Sequence, residues 1–320
     1  MKKKITFKGL WKVLKRCFKG FSDDKITKLS ASLAYYTVFS LGPLLIVIVF
    51  VAGTFFGKEA AEGTIFSQLQ SFVGKGAALQ MQEIVENAAI SSDGTFAVVI
   101  GIITLLIGAT TVFADMQDSI NSIWGLKAKP KAGIMKLVKD RLLSFGVVAS
   151  LGFLLLVSLG ISAVIESLNN SLVKAFPNIA INLFYVINII ITFSVITALF
   201  MIIFKVLPDA NIKWKDVLSG AIATAILFMI GKFGISFYIS KSNVGSAYGA
   251  AGSLIILLVW IYYSSIILYF GAEFTKAFAM EYGNAIHPNS YSVISKKVEI
   301  EAGKDSIQNA DKKISEKQDL

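Results

Sequence analysis

The sequence predicts an all-α fold, a polytopic membrane protein with a bundle of six transmembrane helices and both termini in the cytoplasm. Three observations lead to this class. Hydrophobic residues make up 55% of the 320-residue chain, charged residues only 16%, and the mean hydropathy is +0.67. Soluble domains carry about 25% charged residues, so this chain has too little polar surface to cover a soluble core. The other two observations are six long apolar runs and an alternation of positive charge between the loops that separate them.

Each of the six apolar runs is long enough for a helix to cross a hydrocarbon core, which takes about 20 residues. Backbone polar groups cannot stay unpaired in lipid, so apolar segments of this length must be helical. The predicted spans are Leu29–Phe56, Thr95–Phe113, Leu142–Ile165, Ile179–Phe204, Val217–Ile239 and Ala250–Phe270.

Lysine and arginine set the orientation of these spans. Residues 1–28 hold ten of them, residues 114–141 six, residues 205–216 three, and the chain after residue 270 seven. The intervening loops 57–94, 166–178 and 240–249 hold two, one and one. Cytoplasmic loops carry the excess of positive charge, so the N-terminus, the second and fourth loops and the tail are predicted to be cytoplasmic. The predicted location is the bacterial cytoplasmic membrane, as a multi-pass protein.

The chain divides into three predicted regions. Residues 1–28 form a basic amphipathic cytoplasmic segment, in which a helix over Ile5–Phe21 lies on anionic inner-leaflet lipids. Residues 29–283 form the six-helix transmembrane domain. Residues 284–320 form a polar cytoplasmic tail, predicted to be disordered because residues 296–320 hold 12 charged side chains and few apolar ones. Because the basic charge gathers beside an apolar span, it indicates topology rather than a nucleic-acid partner.

The residues that enzyme sites require are scarce. His287 is the single histidine and Cys17 the single cysteine, so zinc-type metal sites, intrachain disulfides and most catalytic triads are not expected. Neither a GxxxxGK[ST] loop for nucleotide phosphates nor a GxSxG nucleophile motif occurs. We therefore expect no catalytic residues, no metal, no cofactor and no enzyme activity.

Polar residues within the spans form the predicted substrate-binding set. Lys232 is the clearest, because an ionisable residue inside a span costs about 2.5–3.5 kcal/mol on insertion scales. Hydroxyl, amide and acidic residues at similar depth suggest an outward-facing polar cavity around it, made of Lys232, Ser236, Ser158, Ser162, Glu166, Asn182, Tyr185 and Asn188. Two alternatives stay open: a lysine that snorkels to the outer headgroups, and hydrogen bonding between helices.

A second set of residues is predicted to form a gate or to pack the helices. Pro43 interrupts the first span above the hydroxyl-rich turn that holds Tyr35 and Tyr36, so a kink is expected there. In the sixth span Trp260, Tyr262 and Tyr263 lie near the midpoint, although such residues usually sit at the interfaces. Both a gating role and a packing role fit these patterns. Glu273, at the cytoplasmic end, is expected to pair with a lysine of the inner face.

Several motifs resemble one known family. They are Ala31-Ser-Leu-Ala-Tyr-Tyr-Thr-Val-Phe-Ser-Leu-Gly-Pro43, Asn121-Ser-Ile-Trp124, Leu207-Pro-Asp209 followed by Trp214, and Tyr248-Gly-Ala-Ala-Gly-Ser-Leu through Trp260-Ile-Tyr-Tyr to Gly271-Ala-Glu273. In this order and spacing, over about residues 29–283, the chain resembles the YihY/BrkB-type membrane proteins, once labelled ribonuclease BN. The resemblance implies a six-helix inner-membrane protein and no agreed biochemical activity. The ribonuclease label finds no metal-ligand cluster to support it here.

These observations favour a transporter or exporter of an organic solute, anionic or amphipathic in character. The alternative is an envelope-organising or scaffold protein that does not transport, and ribonuclease activity is disfavoured. The lipid bilayer is the predicted partner. Small-residue faces such as Gly220/Thr224 and Gly245/Gly249 permit helix association, either within one chain or in a homo-oligomer.

Overall fold

A computed structural model describes residues 6–40, 78–79, 82, 95–129, 177–241, 252–283 and 286–295. The helices are α1 Phe7–Asp23, α2 over residues 26–40, α3 Thr95–Ile123, α4 Pro177–Val206, α5 Trp214–Lys241 and α6 Gly252–Tyr282. Four short strands accompany them: β1 Leu126–Ala128, β2 Ala210–Asn211, β3 His287–Pro288 and β4 Ser292–Ile294. The described part of the chain is thus mostly helical.

Three of these helices are long and apolar enough to cross a membrane, by length and composition. The qualifying segments are Val186–Val206, Trp214–Ile235 and Leu254–Tyr282, which correspond to the fourth, fifth and sixth predicted spans. Helix α3 contains the second predicted span, and α2 contains the start of the first. The third predicted span, 142–165, lies outside the described residues.

Helix α3 continues ten residues past the predicted end of the second span. Hydropathy detects only its apolar part, but the polar continuation stays helical because it buries Ile120 and Ile123 in the core. The helix stops at a turn where Gly125 has a φ of +69°, a left-handed conformation that glycine adopts without steric cost.

Helices α5 and α6 pack antiparallel through small residues. A Cβ built on Gly220 would lie 1.8 Å from the Thr275 hydroxyl oxygen, and one on Gly271 would lie 2.0 Å from that of Thr224. The two backbones therefore approach as closely as glycine permits. The Gly220/Thr224 face, which the sequence left open to either use, is occupied by α6 of the same chain.

The opposite face of α5 presents a continuous row of exposed apolar side chains. It comprises Leu218, Ile222, Ile226, Leu227, Ile230, Phe233 and Phe237. Their spacing of three to four residues places them on one side of the helix. A row this long is the surface that lipid covers in a membrane protein, so α5 has one face toward lipid and one toward the bundle.

The loops and the polar C-terminal segment meet at one end of the bundle. Strand β1 pairs with β4 and strand β2 with β3, both antiparallel. Residues 286–295, which the sequence analysis assigned to the tail, thus pair with the loops that follow α3 and α4. Segments from three distant parts of the chain are joined here.

Asp209 ties these segments together. Its Oδ2 accepts a hydrogen bond from Asn121 Nδ2 at 3.1 Å, and its Oδ1 accepts one from Asn289 Nδ2 at 3.1 Å. Its backbone N–H donates to Asn121 Oδ1 at 2.8 Å, and its carbonyl accepts from Ser292 Oγ at 2.6 Å. Asn121 and Asp209 belong to two of the motifs noted in the sequence, and their shared role is structural.

Helix α1 packs along the C-terminal half of α6. Val13 and Cys17 are fully buried against Ala277, with aromatic side chains of α6 around them. The Tyr282 hydroxyl accepts from Thr6 N at 3.2 Å and donates to the Thr6 carbonyl at 2.9 Å, which fixes the start of α1. The amphipathic helix predicted over Ile5–Phe21 therefore docks one of its faces on the protein.

Candidate functional site

Lys232 lies on the bundle side of α5. It follows Ile230 by two residues, which places it about 200° around the helix from that lipid-facing side chain. The same side of α5 carries the buried residues Ala221, Ala225 and Ile235. Lys232 itself is half-buried. On the helix circumference, Lys232 therefore lies nearer to this buried side than to Ile230.

The structure brings Lys232 to the level of two other predicted residues. Helices α4 and α5 form an antiparallel hairpin in which Asn188 lies 18 residues before Val206 and Lys232 lies 18 residues after Trp214. At a rise of 1.5 Å per residue both stand about 27 Å from the loop. The ring of Tyr263 packs against Gly231, where an added Cβ would lie 2.1 Å from the Tyr263 hydroxyl oxygen.

Asn188 is exposed, and its Oδ1 accepts a hydrogen bond from Thr192 Oγ1 at 3.2 Å. The remaining members of the predicted substrate set cannot be placed as side chains. Helices α4 and α5 pass through Asn182, Tyr185 and Ser236, whose side chains lie outside the described part. Ser158, Ser162 and Glu166 lie outside it entirely. The outward-facing cavity thus stays a prediction.

The aromatic residues of the sixth span differ in burial. Trp260 is buried and packs edge-on against Phe228 of α5, with ring centroids 6.0 Å apart. Its indole Nε1 has no hydrogen-bond partner. Tyr262 and Tyr263 are half-buried. Trp260 therefore contributes to helix packing and also brings a polar N–H into the interior.

The predicted gate residues of the first span lie on the surface of α2. Tyr35 is 58% exposed and Tyr36 38% exposed, and the ring of Tyr35 also contacts that of Phe39 at 4.8 Å between centroids. Pro43 lies outside the described residues. The gating hypothesis for these three residues is therefore untested by the fold.

A polar cluster that the sequence analysis did not single out lies where α2, α3 and α6 meet. Ser32 Oγ donates to Asp115 Oδ1 at 2.7 Å. The other carboxylate oxygen, Asp115 Oδ2, is buried and has no hydrogen-bond partner. The fully buried Tyr269 lies near Asp115 and within weak hydrogen-bonding reach of Ser119 of α3, and its hydroxyl makes no hydrogen bond of normal length and angle. A buried carboxylate oxygen and a buried hydroxyl thus belong to one cluster, and neither makes a hydrogen bond of normal geometry.

Asp115 lies two residues beyond the predicted end of the second span. Burial raises the pKa of the Asp115 carboxyl above its ordinary value, and the hydrogen bond from Ser32 opposes that rise. The sequence carried one signal for it: Asp115 and Ser119 lie four residues apart, hence on one face of α3. By hydropathy, Asp115 falls in the loop after the second span, and a loop residue is not expected to share a helix face with Ser119.

A cavity of about 990 Å³ opens at the same end, between α1, the turn after α3 and α6. Both signs of charge line it, including Arg16, Lys127 and the buried Glu273. The expected pairing of Glu273 with an inner-face lysine is confirmed, since Lys276 Nζ lies 3.4 Å from Glu273 Oε1. Lys276 Nζ also lies 3.7 Å from Asp24 Oδ2, so one lysine links α6 to α1.

Metal-binding groups are not assembled in this part of the molecule. Among the described residues, no three His, Cys, Asp or Glu side chains are placed to hold a metal ion together. Burial raises the pKa of the Cys17 thiol to about 12, with the Glu273 carboxylate contributing, so this thiol stays protonated.

Relatives of this chain are membrane proteins. The sequence profile of the virulence factor BrkB family matches residues 17–291. A UPF0761 membrane protein of Pseudoalteromonas translucida is 28% identical over 275 residues, which cover 85% of this chain and 87% of the relative. Others, from Xanthomonas campestris and Nitrosospira multiformis, are 30% and 26% identical over 80% and 79% of this chain.

The chain spans only 58% and 57% of the length of those last two relatives. No solved structure matches it. The match to the family profile covers most of the chain and includes Asp115, Asp209 and Lys232. The chain therefore belongs to the virulence factor BrkB family, and it is a multi-pass protein of the cell membrane.

Proposed function

We propose that this protein is a transporter or exporter of an organic solute, with six transmembrane helices and both termini in the cytoplasm. The observation that carries the proposal is the position of Lys232, about 27 Å along α5 and on its bundle side. A charged residue that only snorkelled to headgroups would be expected on the lipid-facing row. Ionisable residues that face a bundle interior mark substrate and ion pathways.

The arrangement of the loops at one end of the bundle supports the proposed topology. The positive-charge counts assign the N-terminal segment, the second and fourth loops and the tail to the cytoplasm. The structure brings together α1, β1 after α3, β2 after α4 and the two C-terminal strands. Four segments of one predicted side thus share one end of the bundle, as that assignment requires.

The character of the solute follows from the side chains that would meet it. Lys232 supplies a positive charge, Asn188 an amide and Tyr263 an aromatic ring at one level. A cation beside an aromatic and an amide suits a ligand with an anionic group and an apolar body. We therefore propose an anionic or amphipathic organic solute.

The test compares solute pools in cells and medium by mass spectrometry. The strains carry the wild-type gene, a deletion, the deletion complemented with Lys232→Ala, and the deletion complemented with Lys241→Ala. Lys241 is an exposed lysine at the end of the same helix and serves as the matched control. Protein abundance in the membrane is measured in each strain.

We expect one solute to accumulate on one side in both the deletion and the Lys232→Ala strain, while Lys241→Ala restores the wild-type pools. Restoration of every pool by Lys232→Ala would contradict the proposal. An enzymatic role is not part of it, and purified protein supplied with RNA and a divalent metal is expected to leave the RNA intact.

The second candidate function is that of a scaffold. One observation favours it: α1 docks on α6 by one face and leaves large apolar side chains exposed, with Phe7 87%, Trp11 64% and Phe18 67% exposed. Such a row is suited to the lipid surface or to a protein partner. If the double variant Trp11→Ser/Phe18→Ser fails to complement the deletion strain, while Lys232→Ala complements it fully, the scaffold function replaces transport.

A further inference from the structure

We propose that Asp115, with Ser32, Ser119 and Tyr269, forms a site for a monovalent cation, either Na⁺ or H⁺, at the cytoplasmic edge of the bundle. The binding of the cation stands by itself. A role for it in driving solute movement rests on the proposed function.

The first argument is the pair of unsatisfied atoms. Buried polar groups in folded proteins nearly always have partners, because an unpaired one costs about 1–3 kcal/mol and more when charged. Here Asp115 Oδ2 is buried without a hydrogen-bond partner, and the buried hydroxyl of the nearby Tyr269 makes no hydrogen bond of normal geometry, with only a weak contact to Ser119. A cation bound among these oxygens, or a proton on Oδ2, gives both atoms an interaction partner.

The second argument is the choice of ligand atoms. The cluster offers a carboxylate and hydroxyl oxygens from three helices, and hard cations prefer oxygen ligands. One carboxylate with neutral hydroxyls balances a single positive charge, whereas a divalent ion would be left under-neutralised. Ser32 of α2 hydrogen-bonds Asp115, and Tyr269 of α6 lies near it.

The third argument is that the site is built into the packing. Ser40 of α2 meets Gly108 of α3, where an added Cβ would lie 2.9 Å from the Ser40 Cβ. This close approach and the Ser32–Asp115 hydrogen bond set one register between α2 and α3. Trp124 Nε1 donates to the Ala272 carbonyl at 3.0 Å and fixes α3 against α6. The three walls of the site are therefore held before any ligand arrives.

The experiment measures thermal unfolding of the purified full chain in detergent micelles. Na⁺ is varied against choline at constant ionic strength, and the series is repeated from pH 5 to pH 8. The variants are Asp115→Asn, Tyr269→Phe and, as control, Asp118→Asn. Asp118 is an exposed carboxylate on the same helix, so this control makes the same charge change outside the cluster.

If the ion is Na⁺, the Tm of the wild type and of Asp118→Asn rises saturably with Na⁺, because a ligand that binds only the folded state stabilises it. Asp115→Asn loses the rise. Tyr269→Phe keeps or gains stability in choline, since it removes an unsatisfied hydroxyl, but it responds to Na⁺ only at higher concentration.

If the ion is H⁺, the Tm does not depend on the Na⁺ concentration and depends on the pH instead. Burial raises the folded-state pKa of Asp115, so the folded protein holds this proton more tightly than the unfolded chain. The contribution is fully present at low pH and is lost as the pH rises through the folded-state pKa. The Tm of the wild type therefore falls relative to that of Asp115→Asn as the pH increases.

Identical responses of the wild type and Asp115→Asn to both Na⁺ and pH would overturn the site, and so would an equal loss in Asp118→Asn. If Asp115→Asn does not fold, Ser32→Ala replaces it. That variant keeps the carboxylate but not its orienting hydrogen bond, and an about 10–100-fold loss of cation affinity is expected; unchanged affinity would overturn the site. A cation response in a protein without any solute phenotype leaves the site in place and removes transport.

Discussion

The end of this bundle that holds Asp209 and the opposite half are held together in different ways. At the Asp209 end, Asp209 joins two loops and the C-terminal segment through side-chain and backbone hydrogen bonds, and two short ladders surround it. In the opposite half, α5 and α6 meet through apolar and aromatic packing, such as that of Tyr263 on Gly231. The hydrogen bonds at the Asp209 end are directional and hold that end in one arrangement. The packed half is therefore the part that can change shape, because packed helix faces can slide by small steps.

The largest effect on stability is expected from removing the Asp209 side chain. Asp209→Ala leaves the buried amide of Asn121 and the amide of Asn289 without their acceptor, and we expect a loss of about 3 kcal/mol or more in the free energy of unfolding. Thermal unfolding in micelles and recovery from the membrane measure it. Asp209→Asn keeps one acceptor oxygen and is expected to lose less; equal stability of both variants and the wild type would remove Asp209 as the joint.

A smaller effect is expected at the close approach of α5 and α6. Gly220→Ala forces a methyl group against Thr275 and is expected to destabilise by about 1–3 kcal/mol, the usual cost of overpacking. Gly234 in the same helix has open space around its Cβ position, so Gly234→Ala is the matched control and is expected to stabilise by about 0.5–1 kcal/mol. Thermal unfolding compares the two; the same sign for both would refute the packing assigned to Gly220.

Cys17 gives a pH-dependent effect at the interface between α1 and α6. Its pKa rises from 9.0 to about 12 on folding, so the folded protein keeps a proton that the unfolded chain loses. Stability is therefore expected to fall above about pH 9 by up to about 1.4 kcal/mol per pH unit. The slope of Tm against pH from 8 to 10 checks this, with Cys17→Ala as the comparison. Equal slopes would mean that the thiol ionises in the folded protein.

The smallest effect is expected at the rim of that interface. Arg16 Nη1 lies 3.2 Å from Glu281 Oε2, but the Arg16 side chain is 48% exposed. Exposed ion pairs contribute about 0.2–1 kcal/mol and weaken with salt. Arg16→Ala is expected to lower Tm slightly in low salt and not in high salt. A large loss that persists in high salt would assign Arg16 a structural role that this geometry does not support.

The sequence predicts the helices well because lipid leaves no other way to pair the backbone. Three predicted spans recur as α4, α5 and α6. Helix α3 runs ten residues past the predicted end of the second span, because hydropathy cannot follow a helix whose polar turns are stabilised by Ile120, Ile123 and Asn121. The long-range hydrogen-bond partners could not be predicted from the sequence either. Nothing local in Leu207-Pro-Asp209 indicates that Asn121 and Asn289 would bind it.

The Asp115 cluster escaped for a related reason. Its members lie in α2, α3 and α6, and only the folded chain brings them together. By the predicted boundaries, Ser32 belongs to the first span and Asp115 to the second loop. The unpartnered hydroxyl of Tyr269 is a property of packing and has no counterpart in the sequence.

The central claim, a polar cavity around Lys232 that opens to the outside, is tested most directly by thiol labelling in intact cells. Single cysteines replace Ser236 and Asn188 in a Cys17→Ala background, since Cys17 is the chain's single cysteine. Ile230→Cys on the lipid-facing row and Lys127→Cys in the second loop are the controls. A membrane-impermeant maleimide is added outside, before or after permeabilisation.

We expect positions 236 and 188 to react in intact cells, because a water-filled cavity lets the thiolate form. Position 230 should stay unlabelled in lipid, and position 127 should react only after permeabilisation. Failure of both 236 and 188 to react, in protein present at normal abundance, would contradict the cavity and leave Lys232 as a structural residue of the helix bundle.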